Sequence, residues 1–213
     1  MIGRMLHQRS VRRYLDEMMS VCMHGDLSFN ALFKKKTAVA LLEQWEIDDS
    51  NSIYRKVKWL LDEGYRSEFE HARHYLSVFS EAERMFLVPS PTEDNVRLRK
   101  LSIADGYGRQ LPADGIAAFD YAWCILLTTV ASAFKWIDPE LAFAYATQAA
   151  SGAQSAYSGW EEYAFGYAAG AEFSGRFHEV DFAKKNDAFF MQLLQTWRLP
   201  VNRLDWNRRL RHS

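Results

Sequence analysis

Residues Tyr121–Phe134 read YAWCILLTTVASAF and form the most apolar stretch of the 213-residue chain. Asp120 and Lys135 border this stretch on either side. A helix that crosses a bilayer needs about 20 apolar residues, so the stretch is too short for a membrane span and has the length of a buried helix. We therefore predict a buried helix over Ile116–Lys135 and no transmembrane segment.

Helical spacing of apolar residues continues in both directions from this stretch, and no region shows the alternation typical of strands. The first half carries three such stripes: Val11, Tyr14, Leu15, Met18 and Cys22; Ala38, Leu41, Leu42 and Trp45; and Ile53, Val57, Leu60 and Leu61. Gly64 follows the third stripe and suits a left-handed helix end, because glycine has no Cβ to clash there. The pattern predicts an all-α fold of about eight to nine helices.

Prolines and glycines interrupt the helical pattern in the middle of the chain. They lie in VPSPTED, Val88–Asp94, and in ADGYGRQLPADG, Ala104–Gly115, with room for one short helix around Asn95–Ile103. We predict one domain of two packed helical halves, and a split into two domains at the interruption is the alternative. The halves are residues 1–88 and 116–213, and the irregular connection is 89–115.

Helix starts are clearest in the second half. Ile137–Leu141 read IDPEL, in which the aspartate can cap the first amides and the proline suits the first helical position. This helix is predicted to end near Tyr157. Ser158 and Glu161 then fit an S-x-x-E capping box that starts the next helix. A last helix is predicted over Asp181–Trp197.

The helix after Tyr157 reads SGWEEYAFGYAAGAEF, Ser158–Phe173. Helical spacing places Trp160, Tyr163 and Tyr167 on one face. Two glycines one turn apart on another face allow close approach of a second helix: Gly166 and Gly170. Since the predicted capping box uses Glu161, the neighbouring Glu162 has no structural role in this interpretation.

Three segments resemble a known family. They are Ala118–Gly170, Val57–Glu70 (VKWLLDEGYRSEFE) and Leu199–Trp206 (LPVNRLDW). They are similar, respectively, to the Ser-Trp-Glu-Glu-Phe region, the Trp-Leu-x-x-Glu-Gly-His-Arg segment and the closing Pro-Trp-x-x-x-Pro-Trp of the bacterial domain of unknown function numbered 1266. The likeness covers most of residues 40–206. It implies a helical, cytoplasmic bacterial domain without an established activity.

The chain departs from that family's pattern at two arginines. It has Trp123 where the pattern has an arginine three residues after the aspartate, and Ala171 where an arginine follows Tyr-x-x-Gly. In relatives the aspartate and two arginines would form a buried ion-pair network. Because an unpaired buried carboxylate is costly, we expect Asp120 to be partly exposed, hydrogen-bonded, or paired with Arg66 or another arginine of the first half.

Charge is balanced over the whole chain and uneven along it. The 26 basic and 27 acidic residues give no reason to expect nucleic acid or an anionic membrane as the main partner. Segments 1–13 and 198–213 are rich in arginine, whereas 138–183 holds seven acids against one arginine. The acidic segment is interpreted as solvated helix faces or as a docking face. Trp206, in the arginine-rich end, is expected to fold back onto the core.

Motifs for metals, cofactors and disulfides are lacking. Cys22 and Cys124 lie far apart and form no metal-binding pair, and the first residues lack a secretory signal, which favours the cytoplasm. His71 and His74 lie three residues apart beside glutamates, but the His-Glu-x-x-His pattern of zinc proteases is absent. We interpret them as an exposed helix face and predict no metal and no cofactor.

Two functions remain open on this sequence. The preferred one is a non-catalytic helical domain that binds another protein, for example an immunity protein that neutralises a basic bacterial toxin. Its predicted contact region is the acidic segment 138–183. The candidate binding residues are Asp120, Trp160, Glu162, Tyr163 and Tyr167. The alternative is an acid/base enzyme, hydrolase-like, with Asp120 and Glu162 in a pocket between the two halves.

Overall fold

The apolar stretch at the centre of the sequence forms a helix at the centre of the fold. A computed structural model describes residues 2–23, 28–88, 95–175 and 204–210. Regular structure in these ranges is entirely helical, so the predicted all-α class is confirmed. The α-helices are α1 Ile2–Met19, α2 Phe29–Leu32, α3 Lys35–Gln44, α4 Ser50–Asp62, α5 Gly64–Ser77, α6 Glu81–Leu87, α7 Val96–Tyr107, α8 Ala117–Ala133, α9 Pro139–Ala156 and α10 Trp160–Ser174. A 3-10 turn, Ser20–Cys22, follows α1.

The number of helices is close to the prediction. Nine helices in the described ranges have seven residues or more, and α2 is a single turn of four residues. The short helix expected around Asn95–Ile103 is present as α7 and extends to Tyr107. The predicted last helix, Asp181–Trp197, lies outside the described residues.

Helix α8 is buried on every side. Thirteen of its 17 residues are buried, and it contacts α1, α4, α5, α9 and α10. A helix that is apolar all round has to be enclosed by other elements, which is what these five neighbours provide. Helices from both halves of the chain therefore share one core around α8.

Local signals place the two helices that follow. The Asp138 carboxylate accepts hydrogen bonds from the amides of Glu140 (2.9 Å) and Leu141 (3.1 Å) at the start of α9. Pro139 occupies the first turn, and the helix ends at Ala156, before Tyr157, as the sequence predicted. Asp138 satisfies amides that have no partner within the helix.

Gly170 allows α10 to lie close against α8, and Gly166 makes room for the Tyr157 side chain after α9. A Cβ added at Gly170 would be 2.4 Å from Phe119 Cβ, and one added at Gly166 would be 2.8 Å from Tyr157 Oη. Real Cβ atoms do not approach other atoms so closely, so a larger side chain at Gly170 would push the two helices apart. The predicted close approach is confirmed.

The segment 204–210 packs across α1 and α9. The Tyr14 hydroxyl donates to the Trp206 carbonyl (2.7 Å), and Gln154 Nε2 donates to the same carbonyl (2.5 Å). The Trp206 side chain is 6% exposed, and its Nε1 donates to the Tyr157 carbonyl (2.9 Å). The expectation that Trp206 folds back onto the core is confirmed. In the part of the chain that is described, no helix is both long and apolar enough to cross a membrane.

Candidate functional site

Asp120 lies at the joint between α4 and α5, inside the core. Its side chain is 0% exposed. Its Oδ1 accepts a hydrogen bond from the Tyr65 amide (2.8 Å), and its Oδ2 accepts one from the Arg66 amide (3.0 Å) and one from Arg66 Nη1 (3.2 Å). The carboxylate, from α8, therefore caps the first turn of α5.

Of the alternatives expected for Asp120, the structure has the hydrogen bonds and the pairing with Arg66, and it does not have the partial exposure. The amides at the start of α5 have no partners within that helix, so they supply the hydrogen bonds that water would otherwise give the carboxylate. The positive end of the helix dipole also favours a negative charge at this point. Together with the guanidinium, these donors reduce the cost of burying the group.

Arg66 joins this cap to the end of the preceding helix. Its Nη1 donates to the Leu60 carbonyl (2.6 Å) and its Nη2 to the Leu61 carbonyl, both in the last turn of α4. The guanidinium carbon lies 5.1 Å from the centre of the Tyr121 ring. A cation is favoured at a helix C-terminus and an anion at an N-terminus, so the Asp120–Arg66 pair stabilises both ends of the joint.

Gly64 makes this joint possible. Its φ is +61°, which confirms the predicted left-handed conformation. A Cβ at this position would lie 2.1 Å from Asp120 Oδ2. Only a residue without a side chain leaves room for the carboxylate to reach the amides of α5.

Burial changes the protonation of Asp120. It raises the pKa of this carboxyl to about 7, against the opposing effects of the Arg66 amide and guanidinium. Burial likewise raises the pKa of the nearby Cys124 thiol and of the Tyr157 hydroxyl. The ionised form of Asp120 is therefore less favoured in the folded chain than in water.

This shift predicts a pH-dependent stability. Because the folded pKa is higher than the unfolded one, the folded state holds a proton that the unfolded state has lost between about pH 4 and pH 7. The contribution of Asp120 to the free energy of unfolding should be largest below that window and should fall as the pH rises through it. Urea unfolding at several pH values checks this by comparing the wild type with Asp120→Asn, which does not titrate. If the free energy of unfolding of the wild type increased relative to that of Asp120→Asn as the pH rises, the prediction would be contradicted.

The aromatic residues of α10 form part of the core. Tyr163 and Tyr167 are both 0% exposed, so the prediction that they lie on an exposed contact surface is wrong. The Tyr163 hydroxyl donates to the Met18 carbonyl (3.1 Å), and the Tyr167 ring lies 5.5 Å from that of Phe119. The predicted shared face exists, but helices α1 and α8 cover it.

Trp160 is half-buried and holds the segment 204–210. Its Nε1 donates to the Leu204 carbonyl (2.8 Å), and its ring centre lies 5.0 Å from that of Trp206 and 5.2 Å from that of Tyr14. These aromatic contacts link α1, α10 and the segment 204–210. Trp160 therefore stabilises the packing of sequence-distant elements.

Glu162 has the structural role that was assigned to Glu161. Its Oε2 accepts a hydrogen bond from the Ser158 amide (2.6 Å). The cap of α10 is Gly159, in an extended conformation, and the predicted capping box of Ser158 and Glu161 is wrong. The helix begins one residue later than predicted. The glutamate whose side chain can bond to the amide before the helix is therefore Glu162 and not Glu161.

The correction can be tested by two substitutions. Glu162→Ala should lower the free energy of unfolding by about 1 kcal/mol, as expected for the loss of a helix cap. Ser158→Ala should change it much less, because only the backbone of Ser158 donates to Glu162. Thermal unfolding followed by circular dichroism measures both, and an equal loss for the two variants would support the original capping box.

The structure does not bring Asp120 and Glu162 together. Gly170 of α10 packs on Phe119, the neighbour of Asp120, and Glu162 lies eight residues before Gly170. Eight helical residues span about 12 Å along the axis. Each carboxylate is bonded to amides at a different helix start. The three clefts described around α1 are not lined by either residue.

The remaining polar clusters are ion pairs. Glu68 pairs with Lys100, and Glu70 pairs with Arg73 (3.0 Å), beside the two histidines of α5. Within the described ranges, no three His, Cys, Asp or Glu side chains are grouped so as to hold a metal ion.

One exposed apolar region was missed by sequence reasoning. Nine large apolar side chains among the described residues are exposed, and five of them lie between residues 75 and 96. These are Tyr75, Val78, Met85, Phe86 and Val96. The sequence did contain a signal for it, the adjacent apolar residues Met85 and Phe86. The charged residues of this short helix interrupt any continuous apolar face, so the two side chains have no buried face to join.

Comparison with known proteins identifies the family and nothing closer. The model of the family described as Protein of unknown function (DUF1266) matches residues 40–206. The chain belongs to this family. Neither the curated proteins nor the solved structures include a significant match.

The DUF1266 match contains the whole Asp120–Arg66 joint. The segment Val57–Glu70, which resembles the family's Trp-Leu-x-x-Glu-Gly-His-Arg, supplies the left-handed Gly64 and the arginine that pairs with Asp120. This DUF1266 segment therefore supplies both the turn between α4 and α5 and the arginine that bonds to the end of α4. Helix α1 lies outside the matched range.

Proposed function

We propose that this DUF1266 chain is a non-catalytic helical domain that binds another protein. The observation that carries the proposal is α6, which has no buried residue. Met85 is 76% exposed and Phe86 is 87% exposed. Methionine and aromatic residues are enriched at protein interfaces, where a partner buries them.

Several polar contacts hold helix α6 in place. Ser80 and Glu83 form a capping box at its start, Arg84 pairs with Asp105 of α7 (3.2 Å), and Arg109 lies 3.9 Å from Glu81. These contacts do not involve Met85 or Phe86, which stay exposed on the surface. Such preorganisation lowers the entropy cost of binding.

The charges on α6 favour a basic partner. Its first half carries the exposed Glu81 and Glu83, and its second half carries Met85 and Phe86. A complementary surface would have an apolar pocket beside lysine or arginine side chains. An immunity protein that neutralises a basic bacterial toxin in the cytoplasm is the concrete form of this proposal.

The proposed contact surface differs from the one that the sequence predicted. Two acids of the predicted segment, Asp138 and Glu140, are exposed and add surface charge. Tyr163 and Tyr167 are enclosed by the fold. The proposed apolar contact residues therefore lie on α6 and not on α10.

The test begins with recovery of a partner from the native host and ends with purified components. The wild-type chain should form a one-to-one complex, measured by titration calorimetry. The double variant Met85→Ser/Phe86→Ser should lose at least about 30-fold in affinity, which corresponds to the loss of a hot spot. Leu141→Ser, at an exposed apolar position of α9, is the matched control. Equal affinity of the double variant and the wild type would refute the role of α6.

The enzyme alternative has less support. It requires Asp120 and Glu162 in a common pocket, whereas Asp120 is fully buried and each carboxylate caps a different helix. Its test is Glu162→Gln, which should abolish turnover of any substrate if Glu162 acts as an acid or base.

A further inference from the structure

A cleft lies between α1, α8 and α9, away from the Asp120–Arg66 joint and from α6. Its volume is about 330 Å³, which is within the range of small-molecule sites. Most of its lining is apolar and includes Phe33, Ala142 and Ala146, and its polar residues include Arg12, Asp16 and Thr129. The cleft is therefore a concave apolar surface with a few polar groups.

Small side chains on α9 create the space. Ala142 and Ala146 lie one turn apart and face the cleft, where longer side chains would fill it. Phe33, just after α2, lines the cleft and is also 58% exposed. A ligand in the cleft would remove part of this ring from water, which favours binding of an apolar group.

Arg12 supplies a fixed positive charge at the cleft. Its guanidinium carbon lies 5.7 Å from the centre of the Phe143 ring, a cation–π contact that positions the group. Among the described residues, no carboxylate forms an ion pair with Arg12 within 4 Å, and Asp16 attracts its charge from a greater distance, so the N–H groups can still donate to an anion as partner. A guanidinium binds a carboxylate through two parallel hydrogen bonds.

The other polar groups limit what fits. Asp16, one turn further along α1, also lines the cleft and would repel a second negative charge. The Thr129 hydroxyl already donates to the Ile125 carbonyl (2.8 Å). The recognition chemistry is therefore one anion beside an apolar body.

We propose that this cleft binds a small molecule with an apolar body and a single carboxylate. The apolar body lies against Ala142, Ala146 and Phe33, and the carboxylate pairs with Arg12. The site is independent of the partner surface on α6, so Met85→Ser/Phe86→Ser should leave ligand binding unchanged. Failure of one proposal thus does not decide the other.

The experiment measures binding of three probes by titration calorimetry and ligand-observed NMR. Phenylpropionate and octanoate carry the carboxylate on an aromatic and an aliphatic body, and phenylpropanol is the uncharged counterpart. Phenylpropionate should bind at least about tenfold more tightly than phenylpropanol, which has the same apolar body, as expected for a charge-assisted hydrogen bond. The stronger of the two acids identifies the type of apolar body.

Substitutions of charged residues on α1 test whether the carboxylate binds at Arg12. Arg12→Gln should reduce the affinity for the acid to that of the alcohol, and Asp16→Asn should raise it by about two- to threefold, as expected for removal of a like charge near the surface. Arg13→Gln is the matched control, because Arg13 is exposed on the same helix but does not line the cleft. All three are surface changes on one helix, so folding should be kept.

A larger side chain in the cleft tests where the apolar body of the ligand binds. Ala146→Leu should abolish binding of both acid and alcohol while circular dichroism shows a folded chain. If the acid and the alcohol bind equally, or if Arg12→Gln and Arg13→Gln have the same effect, the proposal is overturned. If Ala146→Leu does not fold, the Arg12 and Asp16 variants still decide the outcome.

Discussion

Replacing Gly64 with alanine is expected to lower the free energy of unfolding by about 3 to 5 kcal/mol. Two effects add. A side chain at φ +61° is strained, and its Cβ would lie 2.1 Å from Asp120 Oδ2. Because the carboxylate is confined by the core, it has to leave the amides of α5, which removes the cap and the contact with Arg66 together. Urea unfolding followed by circular dichroism measures the loss.

Gly106→Ala is the matched control for this prediction. Gly106 lies within α7, and a Cβ added there would meet nothing within 4 Å. Alanine is the better helix former, so this variant should be unchanged or more stable by about 0.5 to 1 kcal/mol. If both variants unfold at the wild-type urea concentration, Gly64 does not have the role described.

Asp120→Ala is the second substitution with a large expected effect, a loss of about 3 to 5 kcal/mol. It leaves the amides of Tyr65 and Arg66 without their acceptor and leaves the Arg66 guanidinium without its counter-charge. The unfolding free energy again provides the measurement. Glu46→Gln is the control, since it breaks the exposed Lys56–Glu46 pair and should cost less than about 1 kcal/mol.

Combining the two substitutions tests their physical connection. In Gly64→Ala/Asp120→Ala the added Cβ no longer meets a carboxylate, so the steric part of the Gly64 effect disappears. The double variant should therefore be less destabilised than the sum of the two single losses. Strict additivity would show that the Cβ clash with Asp120 is unimportant.

Elements with local signals could be predicted from the sequence. The start of α9 follows from Asp138 and Pro139, which act on amides within three residues of themselves. The burial of α8 could be predicted because its apolar residues are consecutive and therefore lie on every face of the helix. The start of α10 was misplaced by one residue, because the extended conformation of Gly159 depends on how the chain turns after α9.

The candidate site was predictable only in part. Charge considerations gave Arg66 as one candidate partner of Asp120 among several alternatives. Full burial depends on α5 starting directly opposite α8, which is a long-range arrangement. The shared face of Tyr163 and Tyr167 was correct, whereas its cover comes from Met18 and other distant residues. The adjacent Met85 and Phe86 in a short charged helix were a local signal for the exposed side chains of α6, whereas the cleft beside α9 arises from long-range packing that no local pattern reveals.

The burial of α1 determines which residues a recombinant fragment has to retain. The family match starts at residue 40, yet Val11, Tyr14 and Met18 are fully buried in the same core as α8. A recombinant fragment trimmed to the matched boundaries would lose these side chains and uncover the aromatic rings that they protect. Such a product should accumulate as insoluble aggregates in an expression host, whereas one that retains residues 2–39 should remain in the clarified lysate.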